Sequence, residues 1–271
     1  MPRHIGHRPS LDPSASMPSR QVSARMTVTR LSIASAPTPA GLCAVWSVSV
    51  CPLNEMQATA LLTAAEHVQA AKFRSARDRA RFVTTRGATR MIVATHLGVR
   101  AADVAFSHNR YGALGVAWPR APVQISVAHS GALGLIAIAD GRRIGVDVEL
   151  IRGNLPSRQI ASRWFHPFEQ DRLSRYPPSQ YDAYFLRHWV AKEAYTKGLG
   201  LGLHKRLSEF AVDVPPSSPA RVVCDEAGGA DAWELHLFDA APGYIGAVAH
   251  ESAQPATGER GMSRAASKGR R

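Results

Sequence analysis

The amino-acid sequence predicts an α+β fold. Short runs with the two-residue alternation of β-strands precede and follow longer segments in which apolar residues recur at helical spacing. They occur in the order strand, helices, strands, helices, strands, and no parallel strand–helix–strand unit repeats. Strands and helices are therefore expected to segregate instead of alternating. With 271 residues, of which 45% are hydrophobic, the chain can bury a substantial core.

The first strand and two helices are predicted before residue 100. Residues 42–50 are β-rich, and Pro52 closes the run. Asn54 is a candidate N-cap for a first helix. The apolar residues of that helix are Met56, Leu61, Leu62 and Val68. A second, arginine-rich helix is expected over residues 77–97, with Gly98 ending it.

Three strands follow. Residues 123–128 and 133–139 are apolar runs separated by a turn that contains His129 and Ser130, and Gly141 leads into a strand with alternating residues 144–149. We expect these three strands to form an antiparallel meander with polar turns.

The second half returns to helices and then to strands. Helices are predicted near residues 156–165, 166–176 and 179–197, and strands near 209–214, 233–238 and 244–250. The second half thus loosely echoes the first.

Most of the net charge of +12 lies near the chain ends. Residues 1–30 carry five arginines against Asp12, and residues 252–271 carry five basic groups against Glu259. Both segments are rich in Ser, Pro, Ala and Gly and have no apolar period, so residues 1–38 and 252–271 are expected to be disordered tails. Met17 and Met26 are alternative starts that the sequence does not distinguish from Met1. A nucleic-acid partner is not predicted, because the charge is not concentrated in the folded region.

Neither a membrane span nor a secretion signal is evident, and we expect a cytoplasmic protein. The three cysteines form no CxxC pair, and their odd number argues against a disulfide framework.

Asp147 and Glu149 are the first candidate site residues. They project from one side of the predicted strand, and their repulsion requires a basic neighbour or a hard cation such as Mg²⁺. An acidic strand edge paired with arginines is the structural alternative. The nearby arginines are Arg142, Arg143 and Arg152.

Glu193 is the second candidate. It follows Tyr181, Phe185 and Trp189 at steps of four on the same predicted helix, and a carboxylate near such an aromatic stripe needs a partner for its charge. A surface salt bridge between Glu193 and Lys197 is the alternative.

Two further basic features of the sequence each allow both a structural and a functional interpretation. His129 lies in a tight turn, where a histidine is often exposed or functional and its ring can contact a phosphate. Arg79, Arg86 and Arg90 share one face of the arginine-rich helix, which is either solvated or binds phosphate.

Four sequence segments together resemble the 4′-phosphopantetheinyl transferases of the larger, surfactin-synthetase-activating type. They are residues 129–131, 145–149, 164–169 and 189–202, and the likeness extends from about Trp46 to His250. The resemblance implies a pseudo-dimer of two similar α+β subdomains, here residues 39–140 and 141–251, with coenzyme A in the cleft between them. It also implies a monomeric holo-[carrier protein] synthase.

The implied reaction moves the 4′-phosphopantetheine arm from coenzyme A to a serine hydroxyl of an apo acyl, peptidyl or aryl carrier protein and releases adenosine 3′,5′-bisphosphate. By resemblance, Asp147, Glu149 and Glu193 surround Mg²⁺, and Glu193 is the base that takes the serine proton. The resemblance further implies coenzyme A contacts, with Lys197 on the pyrophosphate and His129 on the 3′-phosphate. The other implied coenzyme contacts are Arg81, Ser130 and Lys192.

The sequence departs from the family in two places. Ala113 and Leu114 follow Tyr111-Gly112 where the family often has Gly-Lys-Pro, so a cationic contact is missing unless Arg110 replaces it. Glu66 and Gln69 stand where the family often has basic residues, and Lys72 and Arg74 are the candidate replacements.

Two other functions are considered. A Mg²⁺-dependent nuclease would use the paired acids, but Ile151 occupies the position where its acid-x-lysine pattern needs lysine. A non-catalytic coenzyme A or carrier-binding module would be favoured by loss of one acid, and all three are present. The carrier protein and its pathway (fatty acid, polyketide or non-ribosomal peptide) are not specified by the sequence.

Overall fold

The computed structural model describes residues 26–31, 43–153, 155–216 and 218–252. Its helices and strands form a mixed fold, as predicted. The elements of the first half are β1 (Val28–Leu31), β2 (Cys43–Ser49), α1 (Pro52–Thr59), α2 (Ala64–Ala71), α3 (Ala76–Leu97), β3 (Ala105–His108), β4 (Leu114–Trp118), β5 (Val123–Ser130) and β6 (Leu133–Asp140). Those of the second half are β7 (Ile144–Leu150), α4 (Ser157–Trp164), α5 (Pro167–Ser174), α6 (Pro178–Leu199), β8 (Phe210–Asp213), β9 (Arg221–Asp225), β10 (Trp233–Ala241) and β11 (Tyr244–Glu251).

The two halves contain the same elements in the same order. From β2 and from β7, a strand is followed by two helices of 8 residues, one helix of 22 residues and four strands. The main sheets also have corresponding strand orders, β2-β6-β5 and β7-β11-β10, with β1 added at the edge of the first. Each half adds a small two-stranded sheet, β3-β4 or β8-β9. The change of sheet falls between β6 and β7.

Strand β7 joins the second sheet and not the predicted meander, which is a correction. Its partner is β11, in a seven-residue antiparallel register. On the side facing β5, two of its N–H groups donate to serine hydroxyls instead of to a backbone ladder. The Val146 N–H donates to Ser126 Oγ (3.0 Å), and the Leu150 N–H donates to Ser130 Oγ (3.1 Å). These bonds join the two halves along β5 and β7.

Two glycines allow α6 to lie directly on β7. A Cβ built on Gly145 would be 1.9 Å from the Ala194 carbonyl oxygen and 2.3 Å from the Gly198 nitrogen, and one on Gly198 would meet the Trp233 ring at 2.5 Å. Neither position can therefore carry a larger residue without moving the helix or the strand. This close approach brings the last turns of α6 against the acidic end of β7.

Several predicted elements require correction. The segment predicted to be a disordered tail contains β1, which pairs with β2, and Met26 is buried in the first core; apart from residues 26–31 and Ser252, the predicted tails lie outside the described residues. The single helix predicted after Asn54 is two helices, and two of the apolar residues named for it, Met56 and Val68, are 64% and 61% exposed. Asn54 is buried inside α1, where its side chain donates to the Ser49 carbonyl (2.8 Å) and accepts from the Thr27 N–H.

The remaining predicted elements are found within a few residues of their expected ends, including α3, which ends at Gly98 in the left-handed conformation. His129 and Ser130, predicted to lie in the turn after the first apolar run, instead pair with β6 as the last two residues of β5. Strands β3, β4 and β9 were not predicted. Among the described residues, none of the helices has the length and apolar content to span a bilayer.

Candidate active site

Asp147 is the most deeply buried acid of the predicted set. One carboxylate oxygen, Oδ1, accepts a hydrogen bond from Lys197 Nζ at 2.6 Å, and both side chains are within reach because α6 lies on β7. The other oxygen, Oδ2, is buried and has no hydrogen-bond partner. Burial raises the pKa of Asp147 to about 6, the charge of Lys197 opposes that shift, and the neighbouring Glu193 and Glu149 add to it.

Glu149 is held by the neighbouring strand. Its Oε2 accepts a hydrogen bond from Ser130 Oγ at 2.7 Å, while the same hydroxyl accepts the Leu150 N–H. Ser130, a predicted coenzyme contact, is thus buried and fixes both the strand and the carboxylate of Glu149.

Glu193 lies one turn before Lys197 at the end of the aromatic stripe of α6. Phe185 and Trp189 of that stripe are in contact with one another and with Phe165. Burial raises the pKa of the half-buried Glu193, and the charge of Glu149 contributes to the rise while Lys197 opposes it. Lys197 forms its close ion pair with Asp147. The alternative prediction, a surface salt bridge between Glu193 and Lys197, is therefore not found.

The structure thus brings the three predicted acids and Lys197 into one electrostatically coupled group. Their carboxylate oxygens do not all lie within 4.8 Å of one another, and Lys197 is the cation that neutralises Asp147.

A cavity of about 440 Å³ lies beside this group and is lined by both halves. The second half contributes Lys197 and Gly202; the first contributes residues of α3, β5 and the loop between β3 and β4. Two contacts between the halves lie at the edge of this cavity. Asn109 Nδ2 donates a hydrogen bond to the Gly200 carbonyl at 2.8 Å, and the rings of Tyr111 and His204 lie 4.9 Å apart. The volume is within the range of small-molecule sites.

His129 is one of the residues at the wall of the cavity, and Arg81 lies near His129 without lining the cavity itself. Arg81 is held there by hydrogen bonds to the Gly131 carbonyl (2.9 Å) and to Asp78 (2.8 Å). Although His129 is an exposed residue, partial desolvation of its ring lowers its pKa, and the charges of Arg81 and Lys197 lower it further. Arg81 and Lys197 thus supply positive charge beside the His129 ring, whose lowered pKa favours its neutral form, and the arrangement suits an anion.

A second cavity, of about 390 Å³, adjoins the first at Gly202. It is largely apolar, is bordered by Glu193 and also contains basic groups. Its lining residues are Ile160, Trp164, Trp189, Glu193, Thr196, Gly202, Lys205, Arg206 and Leu207. Glu193 and Lys197, one turn apart on α6, therefore face different cavities. No sequence pattern indicated Thr196, whose hydroxyl is buried without a partner.

Lys192, predicted to bind the coenzyme, is not brought to this site. Its ammonium is fully buried between Glu169 Oε1 (2.7 Å) and the Phe210 carbonyl (2.7 Å), and it lies 4.0 Å from the centre of the Phe210 ring. Adjacent residues of a helix point in different directions, so Lys192 faces the second core while Glu193 faces the cavity.

The shared arginine face of α3 is also corrected. Arg90 is buried and binds Glu66 at 2.7 Å and the Val104 carbonyl, whereas exposed Arg79 lies near Glu55. Arg86 contacts Glu66 but also lines the cavity of about 440 Å³. Of the three arginines predicted to share a face, it alone lines this cavity. Arg110, the suggested substitute for the missing lysine, stacks on Tyr111 and does not line the cavity.

The donor set fits a hard divalent cation. Three carboxylates supply oxygen ligands of the kind Mg²⁺ prefers, and the buried, unpartnered Oδ2 of Asp147 is the atom most in need of one. An acidic group next to a cavity that is lined by a lysine, with Arg81 nearby, is typical of a class of protein: enzymes that act on a phosphate-bearing substrate.

Comparisons with known proteins agree with this class. Residues 143–249 match the 4′-phosphopantetheinyl transferase superfamily. The chain is 33% identical over 185 residues to the 4′-phosphopantetheinyl transferase HetI of Nostoc sp., covering 68% of this chain and 75% of that protein. It is 28% identical to a putative 4′-phosphopantetheinyl transferase of Synechocystis sp. (65% and 71% covered) and 31% identical to the 4′-phosphopantetheinyl transferase of Bacillus subtilis (45% and 53% covered).

The chain belongs to the 4′-phosphopantetheinyl transferase superfamily. It is therefore an enzyme of this type, in a family that uses coenzyme A and acts on carrier proteins. The nuclease alternative gains no support from these matches.

Proposed function

We propose that this enzyme moves the 4′-phosphopantetheine arm of coenzyme A to a serine hydroxyl of an apo carrier protein, with Mg²⁺ bound by Asp147, Glu149 and Glu193. The observation that carries the proposal is the buried, unpartnered Oδ2 of Asp147, which is electrostatically close to two further carboxylates and bound to Lys197, a residue that lines the cavity shared by both halves. Adenosine 3′,5′-bisphosphate is the second product.

The surfactin-synthetase-activating type and its pseudo-dimer architecture are part of the proposal. They are supported by the matching element order and strand order of residues 39–140 and 141–251, and by the low-identity match to the Bacillus subtilis protein. We further propose that the protein acts as a cytoplasmic monomer.

Each side chain has a distinct role in the proposed reaction. Attack on the β-phosphoryl group develops negative charge on phosphate oxygens, and bound Mg²⁺ supplies charge neutralisation there. Lys197 contacts the pyrophosphate, and His129 with Arg81 holds the 3′-phosphate. Glu193 accepts the serine proton, because burial raises its pKa and thereby improves it as a base. Ser130 positions Glu149.

The second cavity is the proposed entry for the pantetheine arm and the carrier serine. It is bordered by Glu193 and is mostly apolar, with Lys205 and Arg206 at its side. Trp164, 47% exposed, extends this surface toward α5. Basic groups around an apolar centre suit a carrier protein that is acidic around its serine.

Asp147→Ala and Glu193→Gln are expected to reduce modification of an apo carrier protein by at least about 100-fold, because each removes a charge that the transition state requires. The measurement is the mass of the carrier after incubation with coenzyme A and Mg²⁺, using a panel of fatty-acid, polyketide and peptide carriers. Removing Mg²⁺ with a chelator should have the same effect on the unaltered enzyme.

Exposed Glu226 provides a matched control. Glu226→Gln removes one carboxylate far along the chain from the acidic group and should leave the rate unchanged. Full modification of the carrier by either active-site variant would overturn the assignment.

A further inference from the structure

The hairpin of β10 and β11 carries a second group of metal-ligand side chains that phosphopantetheine transfer does not use. Glu234 and His236 occupy alternate positions of β10, and His250 of β11 lies directly opposite Glu234. One ligand atom of each residue lies within 4.8 Å of the other two, and among the described residues this is the one group that meets that condition.

One ring nitrogen of each histidine, Nε2, has no hydrogen-bond partner. Both Nε2 atoms are buried and make no hydrogen bond, and the His250 side chain is only 6% exposed. The rings lie 5.5 Å apart and nearly parallel. His236 Nε2 is 3.7 Å and His250 Nε2 is 4.0 Å from Glu234 Oε2, so all three groups converge. Buried polar atoms normally have a partner, and two lone imidazole nitrogens beside a carboxylate indicate a bound cation.

The tautomer of His250 suits metal binding. Its Nδ1 lies 3.1 Å from the Glu251 carbonyl oxygen and can donate only as N–H, which leaves Nε2 with its lone pair directed into the group. Metal-binding histidines commonly donate their second nitrogen to a backbone carbonyl in this way. Protonation of both rings would not replace a metal ion, because two stacked imidazolium rings would repel each other inside the protein. Burial lowers the pKa of His236, and the nearby His250 lowers it further.

We propose that Glu234, His236 and His250 bind a divalent transition-metal ion of the zinc type, with water as the fourth ligand. Two imidazoles and one carboxylate are ligands that zinc accepts in tetrahedral sites. At zinc–ligand distances of about 2.0–2.1 Å, neighbouring ligand atoms are about 3.3 Å apart, so the two distances from Glu234 Oε2, now 3.7 and 4.0 Å, need to shorten by about half an ångström. The ion ties the start of β10 to the end of β11.

This site is separate from the acidic group of Asp147. Residues paired across β7 and β11 share a face of the sheet, and successive residues alternate between faces. Ala247 is opposite Asp147, whereas His250 is opposite Ile144, three residues away, so His250 and Asp147 lie on opposite faces. Asp147 faces α6, and His250 does not. Metal at the hairpin is therefore expected to affect stability more than transfer.

The test uses full-length protein without a histidine tag, treated with chelator and returned to buffer with excess Mg²⁺ to occupy carboxylate-only sites. Calorimetric titration with Zn²⁺ should show one tight site per chain. Co²⁺ should give the visible absorption of a low-symmetry nitrogen and oxygen site. At a zinc concentration 100 times the dissociation constant, the melting temperature should rise by about 5 °C or more.

His236→Gln and His250→Gln are each expected to abolish the Zn²⁺ site, the Co²⁺ spectrum and the rise in melting temperature. His67→Gln, which alters an exposed histidine on α2, is the matched control and should retain all three. With excess Mg²⁺ present, His236→Gln should transfer phosphopantetheine at nearly the unaltered rate. Equal zinc binding by the unaltered protein and both hairpin variants, or no zinc binding by the unaltered protein, would overturn the proposal, and neither result depends on the transfer assay.

Discussion

Lys192 and Glu193 are adjacent in the chain but belong to different parts of the molecule. The ion pair between Lys192 and Glu169 is completely enclosed, and the Phe210 carbonyl and the Val212 N–H complete the bonds around it. Burial lowers the pKa of Lys192 to about 8, against the opposing effect of Glu169. The side chain next to the proposed base is therefore part of the second core.

Glu169→Gln should destabilise the protein by about 3–5 kcal/mol, because it leaves the Lys192 ammonium buried without its counter-charge. The free energy of unfolding in urea measures the effect. Asp171→Asn is the matched control on the same helix: its pair with Arg175 is exposed, so the change should be within about 0.5 kcal/mol. If Glu169→Gln instead lost transfer activity while its stability stayed unchanged, Lys192 would have to be assigned to the coenzyme site.

Glu66 makes the equivalent contact in the first half and gives stability a dependence on pH. Burial raises its pKa, but the Thr63 N–H and the charges of Arg90 and Arg86 outweigh burial, and the net pKa lies below the ordinary 4.5. A lowered carboxyl pKa contributes stability that is complete above the unfolded value and is lost as pH falls through the folded value.

The stability difference between the unaltered protein and Glu66→Gln should therefore be constant near neutral pH and shrink below about pH 4.5. Urea unfolding of both proteins across that range measures the difference. At neutral pH, the variant leaves Arg90 buried without its carboxylate and should cost about 3 kcal/mol. A difference that grows on acidification would show that Glu66 is not held ionised by the arginines.

The helices of the two halves share one local construction. Glu66 and Glu169 are each the third residue of an eight-residue helix, and each caps that helix in a capping box. Each then binds a basic residue, Arg90 or Lys192, fourteen residues after the start of the 22-residue helix that follows. The basic residue contacts a backbone carbonyl near the next strand. Because this buried ion pair occurs at the same position in both halves, we infer that it stabilises the fold. This role explains why neither Arg90 nor Lys192 is found at the predicted ligand-binding position.

Helix α6 reaches its place on β7 because two glycines face each other. Gly145→Ala should force the strand and the helix apart, since the new methyl group would overlap the Ala194 carbonyl at 1.9 Å. We expect a loss of about 2 kcal/mol or more of stability, and a fall in transfer larger than the loss of folded protein explains, because Asp147 and Lys197 separate. Gly153→Ala is the control, with nothing within 4 Å of the new Cβ. Normal transfer by Gly145→Ala would contradict the role of this contact.

Elements with a strong local pattern could be predicted from the sequence, and those fixed by tertiary contacts could not. Helices α3 and α6 have long apolar periods, and glycines in the left-handed conformation follow both. Strand β1 was missed because its short sequence gains a partner only at the edge of β2. The meander was wrong because the choice of β11 over β6 as the partner of β7 depends on distant residues.

At the scale of the whole molecule, the two halves resemble each other but only one carries the acids. Asp147 is the fourth residue of β7, and the fourth residue of β2 is Trp46; Glu193 of α6 corresponds in the same way to Met91 of α3. The acids were predictable because they lie in short motifs that are specific in combination. The cavity was not, because its lining comes from segments far apart in the chain that meet only after the halves pack together.

Coenzyme A should stabilise the folded chain as a whole, because the cavity that we propose for it is lined by both halves. With Mg²⁺ and coenzyme A at 100 times its dissociation constant, the melting temperature should rise by about 5 °C or more. His129→Ala should lose most of this rise, because it removes a proposed contact to the 3′-phosphate, whereas His67→Ala, at an exposed position outside the cavity, should keep it. Single- or double-stranded DNA should produce no comparable rise, and an equal effect of DNA and coenzyme A would favour a general polyanion site over the proposed coenzyme site.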